Sequence, residues 1–168
     1  MASERLWAPW RVGYIFQTRD STQARCIFCA MHRSKKRSRQ QVVIRGASGF
    51  VVLNRFPYNN GHLMVVPYRH VGRMESLTNA EWLDLFLLTK EALNRLQRSL
   101  KPHGYNLGVN LGRAAGAGVP GHFHLHIVPR WIGDTNFMPT VAETKVISQS
   151  LASVHRLLQK ASASPRRR

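Results

Sequence analysis

One eight-residue segment constrains the fold and the chemistry of this chain more than any other. Residues 121–128 read Gly-His-Phe-His-Leu-His-Ile-Val, with histidine at every second position and an apolar residue between. Side chains of a β-strand point alternately to its two faces, so a strand here places His122, His124 and His126 on one face. The apolar residues then pack on a core, and the three imidazoles line a candidate site.

The spacing of these histidines argues against one metal ion bound by all three. Each step from residue i to i+2 rises roughly 6.6 Å, so His122 and His126 begin about 13 Å apart. A Zn–N bond measures only about 2.0–2.1 Å, so one metal could take two neighbours but hardly three. At least one imidazole is left for other chemistry. A neutral imidazole is nucleophilic near pH 7, and the middle residue, His124, has support from both sides.

The segment before the histidines predicts contact with an anion. Residues 113–121 read Arg-Ala-Ala-Gly-Ala-Gly-Val-Pro-Gly. Small residues let backbone N–H groups approach a phosphate closely, although the same composition also suits a flexible turn. The direct connection to the histidine segment favours the phosphate-binding interpretation.

Strand and helix signals segregate along the chain and predict an α+β fold. Asn59-Asn60-Gly61 is typical of a tight turn and predicts an antiparallel hairpin, while Thr78 and Glu81 form a capping-box pattern before a long helix that ends ahead of Pro102. Strands are predicted over 42–45, 49–53, 62–66, 105–111 and 121–128, and a second helix over about 144–160. We expect one domain over residues 1–160, followed by a basic, disordered tail over 161–168.

Composition excludes several classes of protein. Hydrophobic residues make up 43% of the 168, which argues against intrinsic disorder. No run approaches the ~18 apolar residues that a bilayer crossing requires, and residues 1–9 lack the apolar centre of a secretory signal. We therefore expect a cytoplasmic protein that has no membrane partner.

The formal net charge of +17 is extreme. Much of it lies in a cluster formed by Arg33, Lys35, Lys36, Arg37 and Arg39 and in a tail of arginines at 166–168. Such runs are usually solvated, and the functional alternative is binding of nucleic acid or another polyanion. A basic surface also attracts a polyphosphate substrate, so charge alone does not separate an enzyme from an RNA-binding protein.

The chain has two cysteines, Cys26 and Cys29, in a C-x-x-C spacing. In a cytoplasmic protein this spacing is more typical of metal or redox chemistry than of a disulfide scaffold. The pair supplies half of a tetrahedral zinc site. Two reduced cysteines without a metal, or a redox dithiol, are the alternatives.

These motifs resemble the histidine-triad (HIT) family, whose signature alternates three histidines with apolar residues and ends on two apolar residues. Residues 122–128 match it at every position, and residues 53–67 resemble the family's ribose-binding strand and Gly-His hairpin. Residues 5–11 and 128–137 resemble a bacterial branch of diadenosine polyphosphate hydrolases and phosphorylases. The resemblance implies an antiparallel sheet with two helices, in a homodimer whose two sheets become continuous.

The resemblance also implies a reaction. The enzyme would cleave an adenosine nucleotide of the diadenosine polyphosphate type at the α-phosphate, with His124 forming a covalent nucleotidyl-histidine. His126 would contact the phosphate or the bridging oxygen, and His62 would support the histidines. Asn54 would bind the ribose, and the phosphates would be held by Asn110, Ala117, Gly118, Val119 and Pro120. Water would then release AMP in a hydrolase, the leading expectation, or inorganic phosphate would release ADP in a phosphorylase.

Two further points follow from the same resemblance. The zinc ligands Cys26 and Cys29 would be completed by His70 and His122, which makes the zinc structural. Related hydrolases place Gln, Ser or Thr within residues 118–121, where this chain has Gly-Val-Pro-Gly, so the choice between water and phosphate stays open. A basic, zinc-containing nucleic-acid-binding protein is the alternative class.

Overall fold

The fold is built around one antiparallel sheet. A computed structural model describes residues 26–33, 41–135 and 146–161, and its five strands follow the spatial order β1-β2-β3-β5-β4. The strands are β1 Val42–Arg45, β2 Gly49–Leu53, β3 Leu63–Pro67, β4 Gly104–Val109 and β5 Leu125–Arg130. The helices are α1 Ile27–Arg33, α2 Asn79–Leu100 and α3 Leu151–Lys160, with a 3₁₀ turn at Met74–Ser76. The predicted α+β class is confirmed.

The sheet is covered on both faces at β2 and β3, since these two strands are buried along their whole length. Val51, Leu53, Leu63 and Val65 face α2 and α3 in one core cluster. Phe50, Val52, Met64 and Val66 face the opposite side, where they share a second cluster with Cys26, Phe28 and Cys29 at α1. Burying a side chain of this size contributes about 1.5–3 kcal/mol relative to leaving it exposed. The second cluster fixes α1 on one face of the sheet.

The predicted hairpin joins β2 to β3, with Leu53 paired to Leu63. Gly61 lies in the turn with φ +73°, a backbone conformation that favours glycine, and an added Cβ would also displace Leu100 Cδ1, which lies 2.6 Å from its position. β3 begins at Leu63 rather than at the predicted residue 62. The Asn54 N–H still donates to the His62 carbonyl at 2.9 Å, which holds these two residues side by side.

The long helix α2 begins as predicted. Thr78 Oγ1 accepts from the Glu81 N–H at 3.2 Å, and the Glu81 carboxylate accepts from the Thr78 N–H at 2.8 Å. The helix ends at Leu100, where Lys101 adopts a left-handed conformation with φ 48° ahead of Pro102. Its inward face packs on the sheet through Leu85, Leu88, Ala92 and Leu96.

The histidine strand is shorter than predicted. β5 begins at Leu125, so His122 and His124 precede it, and only His126 lies within it. The reason is local: the His122 N–H turns back to the Val119 carbonyl at 3.2 Å, and the Phe123 N–H donates to the Val71 carbonyl at 2.6 Å. Phe123 nevertheless packs in the core cluster between the sheet and α2. The histidines and the apolar residues therefore still point to opposite sides, although the strand starts later.

Other boundaries differ from the predictions as well. The described residues contain three helices instead of two, because α1 forms around the C-x-x-C motif. α3 begins at Leu151, where Ser150 Oγ accepts from the Ser153 N–H at 3.2 Å, and residues 146–150 are not helical. Residues 144 and 145 lie outside the described ranges, and β4 spans Gly104–Val109 instead of 105–111.

Among the residues that the structure describes, no helix is both long and apolar enough to cross a membrane.

Candidate active site and metal cluster

The three histidines of the motif lie together on the α1 side of the sheet. The Phe28 ring contacts His122 at 5.3 Å and His124 at 5.2 Å, and the His124 and His126 rings are 4.9 Å apart, between centroids. All three histidines are buried, with His124 5% exposed. His126 lies in β5, which continues past the histidines to Arg130.

His124 has a defined tautomer. Its Nδ1 lies 2.8 Å from the His122 carbonyl oxygen, which only accepts hydrogen bonds. Nδ1 therefore carries the proton, and in the neutral ring the lone pair resides on Nε2. Burial lowers the pKa of His124 below the usual value for histidine, against the raising effect of that carbonyl. A neutral imidazole with its lone pair on Nε2 is the form required of a nucleophile.

His62 and His126 form a hydrogen-bonded pair that also has a direction. The Tyr58 N–H donates to His62 Nδ1 at 3.0 Å, so the His62 proton sits on Nε2. His62 Nε2–H then donates to His126 Nδ1 at 2.9 Å, which places the His126 proton on its own Nε2. That Nε2 is buried and has no hydrogen-bond partner in the described part of the chain. A buried donor without a partner is costly, so this atom is a candidate contact for a substrate oxygen.

The electrostatics keep this pair neutral at physiological pH. Burial lowers the pKa of His62 to about 3, with further contributions from His126 and His124. Burial also lowers the pKa of His126 to about 4, assisted by His124. Desolvation penalises the charged imidazolium, so both rings act through fixed N–H groups and lone pairs.

Asn54 and Asn110, two of the predicted substrate-binding residues, lie close to these histidines. Asn54 Nδ2 lies 3.3 Å from His62 Nδ1, and its Oδ1 accepts from the Phe56 N–H at 2.9 Å. Asn110 lies one residue beyond the Val109–Leu125 pair of β4 and β5, which places it across from His124.

The predicted phosphate-binding loop, residues 117–120, leads into His122. Ala117 is buried, and its N–H donates to the Gly112 carbonyl at 3.2 Å. Val119 packs against the core cluster that contains Phe28 of α1. Gly118 and Pro120 lie in the chain between Ala117 and His122. The loop therefore ends directly at the histidines, but the roles of its residues stay predictions.

Cys26, Cys29, His70 and His122 form a cluster whose potential ligand atoms all lie within 4.8 Å of one another, and this set could hold a metal ion. Cys26 Sγ is 3.3 Å and Cys29 Sγ 3.6 Å from His122 Nδ1, and Cys29 Sγ is 3.4 Å from His70 Nδ1. His122 Nε2–H donates to the Pro67 carbonyl at 2.9 Å, so its lone pair on Nδ1 faces the sulfurs.

The donor chemistry of this cluster fits a cation. Burial, together with Cys26, raises the pKa of the Cys29 thiol to about 11, because two thiolates cannot share a buried site without a positive charge. A Cys₂His₂ set with an outer carbonyl hydrogen bond is the donor combination of structural zinc sites. The four residues that the resemblance implied are thus brought together.

Two aromatic residues at the site were not anticipated as contacts of the histidines. Phe28 lies inside the C-x-x-C motif, and the Tyr58 ring lies 4.7 Å from His62 and 5.8 Å from His126. Nothing in the spacing of the sequence signals either contact, since both depend on how α1 and the hairpin loop fold over the sheet. The basic residues at 35–39 and 166–168 lie outside the described residues, so nucleic-acid binding stays a prediction.

Comparisons with known proteins identify the domain family and several relatives of this chain. The model of the HIT domain matches residues 35–131. A Mycobacterium tuberculosis protein named AP-4-A phosphorylase is 41% identical over 160 residues, covering 92% of this chain and 82% of the relative. The Schizosaccharomyces pombe asymmetrical bis(5'-nucleosyl)-tetraphosphatase is 34% identical over 90 residues, covering 54% of this chain and 49% of the relative.

A similar fold occurs among solved structures. A Zn-bound histidine triad family protein from Mycobacterium smegmatis superposes with a TM-score of 0.67 at 23% identity, covering 84% of this chain and 96% of that chain. At this identity the likeness concerns the fold alone.

Proposed function

Since the chain belongs to the HIT domain family, we propose that it is an enzyme that cleaves diadenosine polyphosphates at the α-phosphate through a covalent nucleotidyl-His124. The observation that carries this proposal is the bond from His124 Nδ1 to the His122 carbonyl, which leaves the Nε2 lone pair for attack. His126 Nε2–H, the neighbouring unpartnered donor, is suited to the bridging oxygen.

The first step balances without a change of protonation on the protein. His124 Nε2 forms a bond to the α-phosphorus, and the bond from that phosphorus to the bridging oxygen breaks. The electron pair leaves with the polyphosphate, and the substituted His124 ring becomes a cation that keeps its Nδ1 proton. The His126 N–H stabilises the bridging oxygen as charge develops there, in the manner of an oxyanion donor.

Inorganic phosphate is our preferred acceptor for the second step, because the 41% identical relative is named a phosphorylase. A phosphate oxygen attacks the α-phosphorus, ADP forms, and the electron pair of the broken bond returns to His124 Nε2. Hydrolysis, the leading expectation from the sequence, is the second candidate, and the tetraphosphatase name of the Schizosaccharomyces pombe relative favours it.

Substrate contacts follow from the positions of the predicted residues. We assign the ribose to Asn54, whose amide lies beside His62 and offers both a donor and an acceptor. We assign the phosphates to Asn110 and to the loop of residues 117–120, which has no polar side chain. Within that loop the donors would be the N–H groups of Gly118 and Val119, because the Ala117 N–H bonds to the Gly112 carbonyl and Pro120 has no N–H. Backbone N–H groups then replace the side-chain donor of related hydrolases.

Zinc is the metal that we propose for Cys26, Cys29, His70 and His122. Two sulfur and two nitrogen ligands suit tetrahedral Zn²⁺ better than the hard cations that prefer oxygen. The role is structural, because the ion would tie α1 to His122, whose carbonyl in turn orients His124.

We also propose a homodimer in which two sheets join at β4. β4 is an edge strand, and its Leu107 is 50% exposed. Leu83, Phe86 and Leu87 of α2 are exposed large apolar residues as well. An edge strand and an exposed apolar surface are features that a second subunit would cover.

The test of function is product analysis. The protein is incubated with labelled diadenosine tetraphosphate, with and without inorganic phosphate, and the nucleotides are separated. ATP with ADP, formed only when phosphate is present, supports phosphorolysis, and ATP with AMP, formed without it, supports hydrolysis. ADP as the sole product without phosphate would mean cleavage at the centre of the polyphosphate and would contradict attack on the α-phosphorus. No turnover under either condition contradicts the proposed function.

A further inference from the structure

A cavity of about 320 Å³ lies on the histidine face of the sheet, next to His126. It is lined by Tyr58, Asn59, Asn106, Val128, Arg130 and Thr135. Val128 follows His126 on the same face of β5 and pairs with Asn106 of β4, so the cavity begins roughly 7 Å along the strand from His126. The volume is at the lower end of the range for small-molecule sites.

This cavity lies on the opposite side of the histidine pair from Asn54. Asn54 follows β2 and bonds to His62, whereas Asn106 belongs to β4, and β3 and β5 lie between those two strands. The Tyr58 ring stacks on His126 and also lines the cavity, so it connects the two regions. A ligand with its reacting phosphorus at the histidines could therefore extend in both directions.

The polar groups of the cavity are oriented as hydrogen-bond donors. Arg130 Nη1 donates to Asn106 Oδ1 at 2.8 Å, and because a guanidinium only donates, this bond fixes the orientation of the amide. The Asn106 NH₂ group then points away from Arg130, and it has no hydrogen-bond partner within the described ranges. The Arg130 side chain is 46% exposed, and its three bonds to Asp134 and Asn106 leave two of the five guanidinium N–H groups for a ligand.

The nearby carboxylate does not cancel this donor character. Asp134 is 7% exposed and accepts two bonds from Arg130, at 2.7 and 2.9 Å. It also accepts from Asn59 Nδ2, the Trp131 N–H and Thr135 Oγ1, so its oxygens are occupied by protein donors. Asp134 therefore holds Arg130 in place while the outer edge of the guanidinium faces the cavity.

We propose that this cavity binds the leaving half of a dinucleoside polyphosphate, with Arg130 and Asn106 donating to its phosphate oxygens and the Tyr58 ring contacting its nucleoside. The inference rests on the proposed function. When the bond from the α-phosphorus to the bridging oxygen breaks, the departing nucleoside polyphosphate gains one negative charge, which the guanidinium and amide N–H groups stabilise by hydrogen bonding. The loop at 118–121 has no polar side chain, so the side-chain donors to the leaving group would come from β4 and β5, in addition to the backbone N–H groups of the loop.

The test compares a substrate that has a large leaving group with one that has a small one. Asn106→Asp keeps the oxygen that accepts from Arg130 but replaces the NH₂ donor with a negatively charged acceptor. We expect kcat/KM for diadenosine tetraphosphate to fall about tenfold or more, and kcat/KM for adenosine 5′-phosphosulfate to change less than twofold. Asn94→Asp, at an exposed position of α2, is the control for the change in net charge.

Binding measurements separate this inference from the proposed reaction. A methylene-bridged diadenosine tetraphosphate and AMP are titrated by calorimetry into the wild-type protein and into Asn106→Asp and Asn106→Ala. The inference predicts weaker binding of the dinucleotide alone. Equal losses for both ligands, or no loss for either, would overturn it. A wild-type protein that binds the dinucleotide but turns over no substrate would contradict the proposed function and leave the cavity assignment standing.

Discussion

The hydrogen bond between His62 and His126 makes a quantitative prediction about folding stability. His62 is fully buried, and its Nε2–H donates to His126 Nδ1 at 2.9 Å, whereas its Nδ1 accepts from the Tyr58 N–H. Replacing one partner by leucine, a residue of similar size, leaves the other partner's polar atom buried without a hydrogen bond. Each such orphaned group costs about 1–3 kcal/mol of stability.

The expected loss of stability in each variant follows from the number of buried polar groups that it leaves without a hydrogen bond. His62→Leu orphans His126 Nδ1 and the Tyr58 N–H, so we expect a loss of about 2–6 kcal/mol. His126→Leu orphans His62 Nε2–H and costs about 1–3 kcal/mol. In the double variant neither histidine leaves the other without a partner, but the Tyr58 N–H and the Asn54 amide both lose His62 Nδ1 as an acceptor. Asn54 is only half-buried and can bond to water, so we expect a loss of about 1–3 kcal/mol, less than the sum of the two single changes.

Urea unfolding at pH 7, followed by circular dichroism, measures the three free energies. The double-mutant cycle gives the coupling between the two histidines. Additive losses would refute the hydrogen bond between His62 and His126. A double variant whose loss of stability exceeds the sum of the two single losses would refute it as well.

Three further predictions concern pH, metal and capping. The pKa of His62 is about 3 in the folded protein against 6.5 when exposed, so the unfolded chain binds more protons, and stability falls as the pH drops from about 6.5 toward 4. His62→Leu should flatten this slope by up to about 1.4 kcal/mol per pH unit, and an unchanged slope in urea unfolding would contradict the assignment. Metal analysis should find close to one zinc per chain, with Cys29→Ser losing the metal and amide protection at Cys26–Arg33; a metal-free protein with full protection there would exclude the structural role. Thr78→Ala should cost about 1 kcal/mol in urea unfolding while Thr78→Ser costs less, because only the hydroxyl caps α2, and equal losses would argue against the cap.

Local rules predicted the elements whose causes lie within a few residues. The Asn59-Asn60-Gly61 turn gave the β2–β3 hairpin, and the Thr78 and Glu81 side chains marked the start of α2, because turn and cap chemistry depend on neighbours in the chain. The alternation of the histidines likewise survives, with Phe123 in the core.

Long-range contacts explain what the local rules missed. β5 starts late because the Phe123 N–H bonds to Val71, more than fifty positions earlier, and no pattern around residue 123 indicates that partner. α1 owes its position to the Phe28 side chain, which is buried against the sheet and the histidines.

The site shows the same division. The family resemblance predicted His70 and His122 as metal ligands together with the two cysteines, and the four side chains do lie close together. The Tyr58 contact, the direction of the His62–His126 bond and the Arg130–Asn106 cavity depend on atomic geometry, which composition and spacing do not encode.

The most direct test of the central claim is the mass of the intact protein after brief mixing with diadenosine tetraphosphate, quenched in alkali to preserve a phosphorus–nitrogen bond. The account predicts that the wild-type chain gains one adenylyl group, that peptide mapping finds it on His124, and that His124→Ala gains none. An adenylyl group on any other residue, or an equal gain by His124→Ala, would contradict it.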